Sequence, residues 1–142
     1  MSEPLVTIAM PCLNEADYIE GTIQAVLTQT LRPRRWVIVS DGSRDETDRI
    51  VQAYAGRSDF IVFARRDGGG AKVDFASKVL ALHRGLEMLE DVSYDFIGNL
   101  DADITFDAAY YETLLGEFDK SPLLGIAGGI LYEPHNGRFI PR

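Results

Sequence analysis

The chain has 142 residues, of which 46% are hydrophobic and 25% charged, a composition typical of an ordinary folded domain. Its net charge of −8 argues against a nucleic-acid partner, because phosphate backbones are bound by basic surfaces. The single cysteine, Cys12, excludes an intrachain disulfide, and no apolar run reaches the length of a membrane span. No basic secretory region precedes Leu5. We therefore predict one domain over residues 1–142, cytoplasmic or bound at the cytoplasmic face of a membrane.

Short apolar runs rich in β-branched residues alternate along the chain with segments whose apolar residues recur at helical spacing. Pro11 is expected to end the first of these strands. Predicted strands cover residues 5–10, 36–39, 60–64, 96–100 and 124–131. The alternation predicts an α/β domain with a mostly parallel sheet and right-handed crossovers.

The helices between these strands have recognisable start signals. Asn14 is expected to cap the first helix, whose apolar face begins at Ile19. Ser43 and Glu46 have the spacing of a capping box for a second helix that ends near Ala55. A glycine-rich loop over residues 65–70 precedes a third helix, and a fourth covers residues 109–118. The predicted buried face of the third helix carries Ala76, Val79, Leu80, His83, Leu86 and Leu89.

Three polar clusters follow predicted strands, at residues 11–15, 40–43 and 101–103. The carboxyl ends of parallel strands meet at one edge of a sheet, where open α/β sheets bind their ligands. The sequence therefore predicts that these clusters form one site.

Asp101 and Asp103 form the most informative of these clusters. Residues two apart on an extended strand point to the same side, so two carboxylates would be aimed at one small volume. A divalent cation such as Mg²⁺ or Mn²⁺ would relieve their repulsion, because hard cations prefer carboxylate oxygens. The alternative is an aspartate-rich turn that caps the helix starting near Asp107.

Five segments in chain order resemble motifs of family 2 glycosyltransferases. Residues 6–15 resemble the opening strand followed by P-x-x-N-E, and residues 101–103 match D-x-D. The other three are residues 27–30, similar to L-x-Q-T; 39–47, similar to D-G-S-x-D-x-T; and 78–86, similar to K-x-x-A-L-N-x-G-L. The resemblance covers nearly the whole chain. It implies the GT-A fold, a Rossmann-like three-layer sandwich that binds a nucleotide-diphospho-sugar.

The resemblance also implies how the nucleotide is recognised. Asp41 would accept a hydrogen bond from the imide N–H of uracil, although it also fits the start of a type I turn. Pro11 and Leu13 would form the wall against which the base packs, with Glu15 near the nucleotide; each also fits ordinary packing or a helix start. The predicted nucleotide-sugar site is completed by Asn14, Gly42, Ser43, Lys78, Asp101 and Ala102.

For the phosphates, the resemblance implies a Mn²⁺ or Mg²⁺ ion. Asp103 would coordinate this ion, and Asp101 would approach the ribose or the metal and its water shell. Lys78 would lie near the phosphates or the base, or else be a solvated helix lysine. Lys72, in the glycine-rich loop, is a second cation that could close over phosphate.

The chain departs from the family pattern at two positions and in its length. His83 stands where the family usually has Asn, and Ser40 replaces an acidic residue. An inverting transferase needs a general base, which the family carries well downstream of D-x-D. Among the downstream acids only Glu133, just after the last predicted strand, is a candidate. The chain is therefore expected to be a donor-binding portion whose acceptor-binding half is missing.

The resemblance predicts a glycosyltransferase that uses a UDP-sugar and transfers the sugar to an acceptor hydroxyl with inversion. The acceptor would be a saccharide or a lipid-linked molecule. The alternative is a non-catalytic nucleotide-sugar-binding module or a fragment without the catalytic base. A missing half would leave apolar surface exposed, which predicts self-association as a homo-oligomer.

Overall fold

The computed structural model of the protein describes residues 6–67 and 74–142, so the predictions for Leu5 and Lys72 lie outside the described residues. Strands and helices alternate through the first eight elements, and a hairpin follows. The elements are β1 (Val6–Cys12), α1 (Ile19–Leu27), β2 (Arg35–Ser40), α2 (Thr47–Ala55), β3 (Ile61–Arg65), α3 (Phe75–Glu87), β4 (Phe96–Asn99), α4 (Tyr110–Lys120), β5 (Tyr132–His135) and β6 (Arg138–Pro141).

The first four strands form a parallel sheet in the order β3-β2-β1-β4. In the register of this sheet, Ile8 of β1 lies opposite Trp36 of β2, and Val6 lies opposite Phe96 of β4. Helices pack on both faces, so every residue of β1 is buried, as expected for a central parallel strand. The predicted α/β class with a mostly parallel sheet is confirmed.

Each face of the sheet has its own hydrophobic core. Helices α1, α2 and α4 pack on the face that carries Ile8 and Trp36. Helix α3 packs on the other face, against Ala9, Val37 and Val39. The sheet is therefore the middle of three layers, as predicted.

Strand β1 continues through Pro11 to Cys12, so the prediction that Pro11 ends the strand is wrong. Pro11 lies opposite Val39 of β2, whereas β4 pairs with β1 only as far as Ala9. The proline therefore falls where one side of β1 has no partner from β4, a position at which a strand tolerates a proline.

The predicted apolar face of α3 is correct only toward its carboxyl end, where Leu86 and Leu89 pack in the core of this face; the closest contacts of the helix are made by small residues. Ala81 and Gly85 are its buried residues, whereas Leu80 is 51% exposed and His83 is exposed. A Cβ at Gly85 would lie 3.2 Å from the Cβ of Ala9, so glycine allows the close approach of helix and sheet. The prediction that His83 lies on a buried or site-facing side is therefore wrong.

Residues 122–131 form no regular strand, contrary to the prediction for 124–131. Three glycines in this segment, Gly125, Gly128 and Gly129, carry no side chain to pack, and Ile126 is 89% exposed. Beyond it, β5 and β6 form an exposed antiparallel hairpin and, among the described residues, pair only with each other. Within residues 6–67 and 74–142, no helix has the length and apolar character needed to cross a membrane. The cytoplasmic location stays a prediction.

Candidate functional site

A cavity of about 200 Å³ opens where β1, β2 and β4 end. We call it the strand-end cavity. It is lined by Pro11, Cys12, Leu13, Glu15, Asp41, Asp74, Ser77, Lys78, Ala81, Asp101, Ala102 and Asp103. The three polar clusters that the sequence assigned to one edge of the sheet therefore contribute to one concave surface, together with the first two turns of α3.

Most of the predicted site residues line this cavity, but four do not. Asn14, Gly42 and Ser43 are not among the lining residues, and Glu133 lies on the exposed strand β5. The Glu133 carboxylate accepts a hydrogen bond from Arg142 at 2.8 Å. The eight predicted residues that do line the cavity are Pro11, Leu13, Glu15, Asp41, Lys78, Asp101, Ala102 and Asp103.

Asn14 and Ser43 connect the loop after β1 to the loop after β2. The Asn14 backbone N–H donates to Ser43 Oγ at 3.1 Å, and the Arg44 N–H donates to Asn14 Oδ1 at 2.8 Å. Helix α1 begins at Ile19 without a side-chain cap, so the predicted cap by Asn14 is wrong. The loop-to-loop bonds occupy both the backbone and the side chain of Asn14 instead.

The capping box of Ser43 and Glu46 is also not formed. Helix α2 begins at Thr47 with no side-chain cap at Glu46, and Ser43 Oγ bonds Ser40 Oγ at 2.9 Å. The Thr47 N–H donates to Asp45 Oδ1 at 3.0 Å. Gly42, between Asp41 and Ser43, has φ of 83°, a left-handed conformation that glycine adopts readily.

Asn14 gives a stability prediction, because its φ of 52° is also left-handed. Asn14→Ala should destabilise the fold by about 2 kcal/mol, because it loses the side-chain hydrogen bond and because alanine adopts the left-handed conformation less readily than asparagine does. Asn14→Gly should cost only about 1 kcal/mol, because glycine accepts the conformation. Urea unfolding of the two variants measures this difference. Equal losses would show that the backbone conformation contributes nothing.

Three acidic side chains of the cavity, Glu15, Asp101 and Asp103, form what we call the carboxylate cluster. Burial, followed by the charges of Asp103, Asp45 and Asp101, raises the pKa of Glu15, and the charge of Lys78 opposes the shift. No group of three or more His, Cys, Asp or Glu side chains within the described residues is arranged to hold a metal ion by itself. The excess of negative charge in the cluster nevertheless fits Mg²⁺ or Mn²⁺, because such an ion needs only one or two carboxylates and usually completes its coordination with substrate phosphates and water.

The raised pKa of Glu15 gives a second stability prediction. A carboxyl whose pKa is higher in the folded state binds its proton more tightly there, so its ionisation above that pKa destabilises the fold. Glu15→Gln should therefore stabilise the protein at neutral pH, by less than about 1 kcal/mol because solvent screens part of the effect. The gain should shrink as the pH falls below the raised pKa of Glu15 and vanish below the ordinary glutamate pKa of 4.5, where the carboxyl is neutral in both the folded and the unfolded state. Thermal unfolding at pH 7 and at pH 4 tests this, and a gain that grows on acidification would contradict it.

Lys78 and Asp101 form an ion pair across the cavity, with 2.7 Å between Nζ and Oδ1. Both side chains are 49% exposed, and ion pairs of this exposure contribute at most about 1 kcal/mol. The ammonium group is therefore held at the cavity rim by a weak interaction. An incoming phosphate or cation could displace it.

Asp41 is nearly buried at the carboxyl end of β2 and has two side-chain partners. Arg66 donates to one carboxylate oxygen and the Ser77 hydroxyl donates to the other. The sequence did not predict either partner. Arg66 follows β3 at the same edge of the sheet, and this position could have identified it from the sequence. Ser77 was not identified because the predicted buried face of α3 did not include it.

Gln29 is a second residue whose role the sequence did not predict. Its buried amide donates to the Asp107 carbonyl at 2.6 Å and accepts from the Tyr111 N–H at 3.1 Å. The neighbouring Thr30 N–H donates to the Ala108 carbonyl at 2.8 Å. The segment that leads from Asp103 to α4 is thus fastened to the end of α1, which positions the carboxylate cluster.

Cys12 also lines the cavity, yet it is poorly suited to nucleophilic chemistry. Burial, followed by nearby carboxylates, raises the pKa of the Cys12 thiol to about 12. The reactive thiolate is therefore scarce at neutral pH, in agreement with the position of Cys12 in the hydrophobic core.

Residues 7–142 match the family model described as "Glycosyl transferase family 2". The chain is 32% identical over 126 residues to the poly-beta-1,6-N-acetyl-D-glucosamine synthase of Staphylococcus aureus strain MSSA476. It is 29% identical to the synthase of the same name from Staphylococcus epidermidis. Each match covers 87% of this chain but only 28% of the relative, so the chain spans less than a third of these proteins.

Solved structures share the fold at lower identity. S. aureus TarS 1–349 in complex with UDP-GlcNAc superposes with a TM-score of 0.64 at 19% identity, over 97% of this chain and 37% of that one. The mannosyltransferase PcManGT from Pyrobaculum calidifontis, in complex with GDP-Man and Mn²⁺, gives a TM-score of 0.64 at 22% identity, over 87% of this chain and 34% of that one. These similarities confirm the predicted GT-A fold.

Proposed function

Because the chain belongs to glycosyl transferase family 2, we propose that its strand-end cavity binds the nucleotide-diphospho-sugar donor of a glycosyltransferase. The observation that carries the proposal is the shared cavity of Asp41, Lys78 and the carboxylate cluster. A donor of this kind requires a carboxylate for the base, a cation for the phosphates and carboxylates for the metal ion, and the cavity contains all three. The chain would be the donor-binding portion of a longer enzyme.

The base would pack between strand ends and hydrogen-bond to Asp41. Pro11 and Leu13 supply apolar lining beside the Asp41 carboxylate. A carboxylate acceptor favours a base whose ring nitrogen carries a hydrogen, as uracil does, over cytosine, whose equivalent nitrogen is an acceptor. The TarS structures in complex with UDP and UDP-GlcNAc support a UDP-sugar as the first choice of donor.

The diphosphate would lie between Lys78 and the carboxylate cluster. Asp103 and Asp101 would hold Mn²⁺ or Mg²⁺, which when bound supplies charge stabilisation for the departing nucleoside diphosphate. Two similar structures, PcManGT and a glucosyl-3-phosphoglycerate synthase from Mycobacterium tuberculosis, contain Mn²⁺ and support this choice. Lys78 would leave Asp101 and donate to a phosphate oxygen, because the ion pair it now makes is weak.

Transfer to a saccharide or lipid-linked hydroxyl with inversion would need a base beside the acceptor. Glu133 does not line the strand-end cavity, and its carboxylate forms an ion pair with Arg142. Neither observation supports Glu133 as the base. We propose that the base belongs to the acceptor-binding portion of the longer enzyme. The second candidate function is a non-catalytic nucleotide-sugar-binding module, favoured by the same observation; the two differ in turnover and not in donor binding.

Calorimetric titration tests the proposed function. UDP, GDP, dTDP and CDP are each added to the chain with Mn²⁺ and, separately, with a chelator. We expect UDP to bind in the presence of metal, with affinity at least about tenfold lower after chelation, a difference of about 1.4 kcal/mol. If no nucleotide binds under either condition, the cavity is not a donor site. Turnover of UDP-sugar by the same sample would exclude a purely binding role; the enzyme hypothesis does not require it, because the proposed base lies outside this chain.

Self-association stays a prediction that the exposed apolar side chains support. Phe75, Ile126 and Phe139 are each more than 70% exposed. Sedimentation over a range of concentrations would show an increasing mass if these residues mediate association. A constant monomer mass would count against it.

A further inference from the structure

Asp41 is held by residues from two other elements of the fold. It lies at the carboxyl end of β2, whereas Arg66 follows β3 and Ser77 is in the first turn of α3. The Asp41 side chain is 5% exposed and that of Arg66 is 27% exposed. A carboxylate this buried requires a charged or hydrogen-bonding partner, and here each of its oxygens has one.

The three side chains form a closed triangle with a fixed direction of donation. Arg66 Nη1 also lies 3.4 Å from Ser77 Oγ. A guanidinium can only donate, so Ser77 Oγ accepts from Arg66 and its own hydrogen is directed to Asp41. The backbone N–H of Ser77 donates to the N-cap Asp74 at 2.6 Å, which fixes the first turn of α3 against this triangle.

The consequence is that Asp41 faces the cavity as an acceptor. A carboxylate has about four lone-pair sites, so two partners leave others free for a ligand. Arg66 does not line the strand-end cavity, so it holds Asp41 from outside the side that faces a ligand. A carboxylate oxygen can accept from the ring N–H of uracil but has no hydrogen to donate to the corresponding nitrogen of cytosine.

We propose that Arg66 and Ser77 are positioning residues that set nucleobase selectivity, because they hold the acceptor oxygens of Asp41 oriented toward the strand-end cavity. The inference rests on the proposed nucleotide-binding function. It assigns discrimination between uracil and cytosine to the triangle of Asp41, Arg66 and Ser77, and not to Asp41 alone. If the triangle only fastens α3 to the sheet, its loss would lower stability and leave selectivity unchanged.

The test compares UDP and CDP binding by calorimetry with Mn²⁺, on wild type and five variants of the full chain. Arg66→Gln removes the charge, whereas Arg66→Lys keeps it; Ser77→Ala removes the hydroxyl, whereas Ser77→Thr keeps it. Arg84→Gln is the control, since it removes one positive charge from α3 at a residue whose described partner is the exposed Glu87. Thermal unfolding of each variant confirms that it is folded under the conditions of the titration.

We expect Arg66→Gln to weaken UDP binding about 50-fold and to reduce the preference for UDP over CDP about tenfold. Ser77→Ala should weaken UDP binding about tenfold, the usual effect of one hydrogen bond to a charged group. Arg66→Lys and Ser77→Thr should recover most of the preference, and the control should match wild type. Folded Arg66→Gln and Ser77→Ala variants with wild-type preference would overturn the inference and leave the proposed function standing. A wild type that binds neither nucleotide would overturn both.

Discussion

Asp103→Ala is expected to abolish metal-dependent binding of UDP, with a loss of affinity of about 100-fold or more, because a metal ligand contributes at least as much as the groups that orient it. The same substitution should leave the protein as stable as wild type or slightly more stable. Asp103 is exposed, and its charge is one of those that raise the pKa of Glu15. Calorimetry with Mn²⁺ measures the first effect and thermal unfolding the second.

Asp119→Ala is the matched control for Asp103→Ala. Asp119 is also an exposed aspartate, but it lies on α4 and does not line the strand-end cavity. The control should bind UDP and Mn²⁺ like wild type. If Asp103→Ala kept metal-dependent binding, the carboxylate cluster would not be the metal site, and Asp103 would belong to an aspartate-rich turn instead.

Gly85→Leu is expected to cause the largest loss of stability, about 3 kcal/mol, which for a domain of this size lowers the melting temperature by about 10 °C. A Cβ at Gly85 would lie 3.2 Å from Ala9 Cβ and 3.4 Å from Val39 Cγ2, both on central strands. The rest of a leucine side chain would have to displace α3 from the sheet. Because α3 also carries Ser77 and Lys78, the displacement should weaken UDP binding as well.

Gly116→Leu provides the comparison within the same protein. Gly116 is also helical, on α4, and no atom lies within 4 Å of a Cβ built there. The variant should be as stable as wild type or more stable, because leucine is a better helix former than glycine by about 0.8 kcal/mol. Equal melting temperatures for Gly85→Leu and Gly116→Leu would show that α3 does not approach the sheet as closely as described.

The position of the site could be predicted from the sequence because it depends on strand ends. Apolar runs of four to seven residues identify β1, β2 and β4, and the polar residues just beyond them can only meet at the carboxyl edge of a parallel sheet. That reasoning brought Glu15, Asp41 and Asp103 together without any knowledge of side-chain contacts. The roles that the resemblance assigns to these residues stay predictions until a ligand is bound.

The contacts made by α3 could not be predicted in the same way. Large apolar residues do not mark the buried face of this helix, because Phe75 and Leu80 are exposed. Ala81 and Gly85 are the buried residues of the helix, because only small side chains allow it to approach the sheet so closely. The predicted face wrongly included His83 as a buried residue. It did not include Ser77, which lies one turn before Ala81 and donates to Asp41.

The predictions for the loops after β1 and β2 and for the strand over 124–131 were wrong because tertiary contacts decide these regions too. Asn14 and Ser43 have the chemistry of helix caps, yet they bond to each other's loops, a tertiary choice that local sequence does not encode. Residues 124–131 are apolar enough for a strand, but a strand also needs a partner strand. The sheets formed by the described residues include no strand from 124–131, and the next strand, β5, pairs there only with β6.

The central claim is that a nucleoside diphosphate and a divalent cation bind together at the carboxyl ends of β1, β2 and β4. The most direct test is an NMR titration of the isotopically labelled 142-residue chain with UDP and Mg²⁺, repeated with Mn²⁺ as a paramagnetic probe. We predict amide shift changes at residues 12–15, 41–43 and 101–103, and Mn²⁺ broadening centred on Asp103. Changes confined to the β5–β6 hairpin, or broadening centred elsewhere than the carboxylate cluster, would contradict the claim.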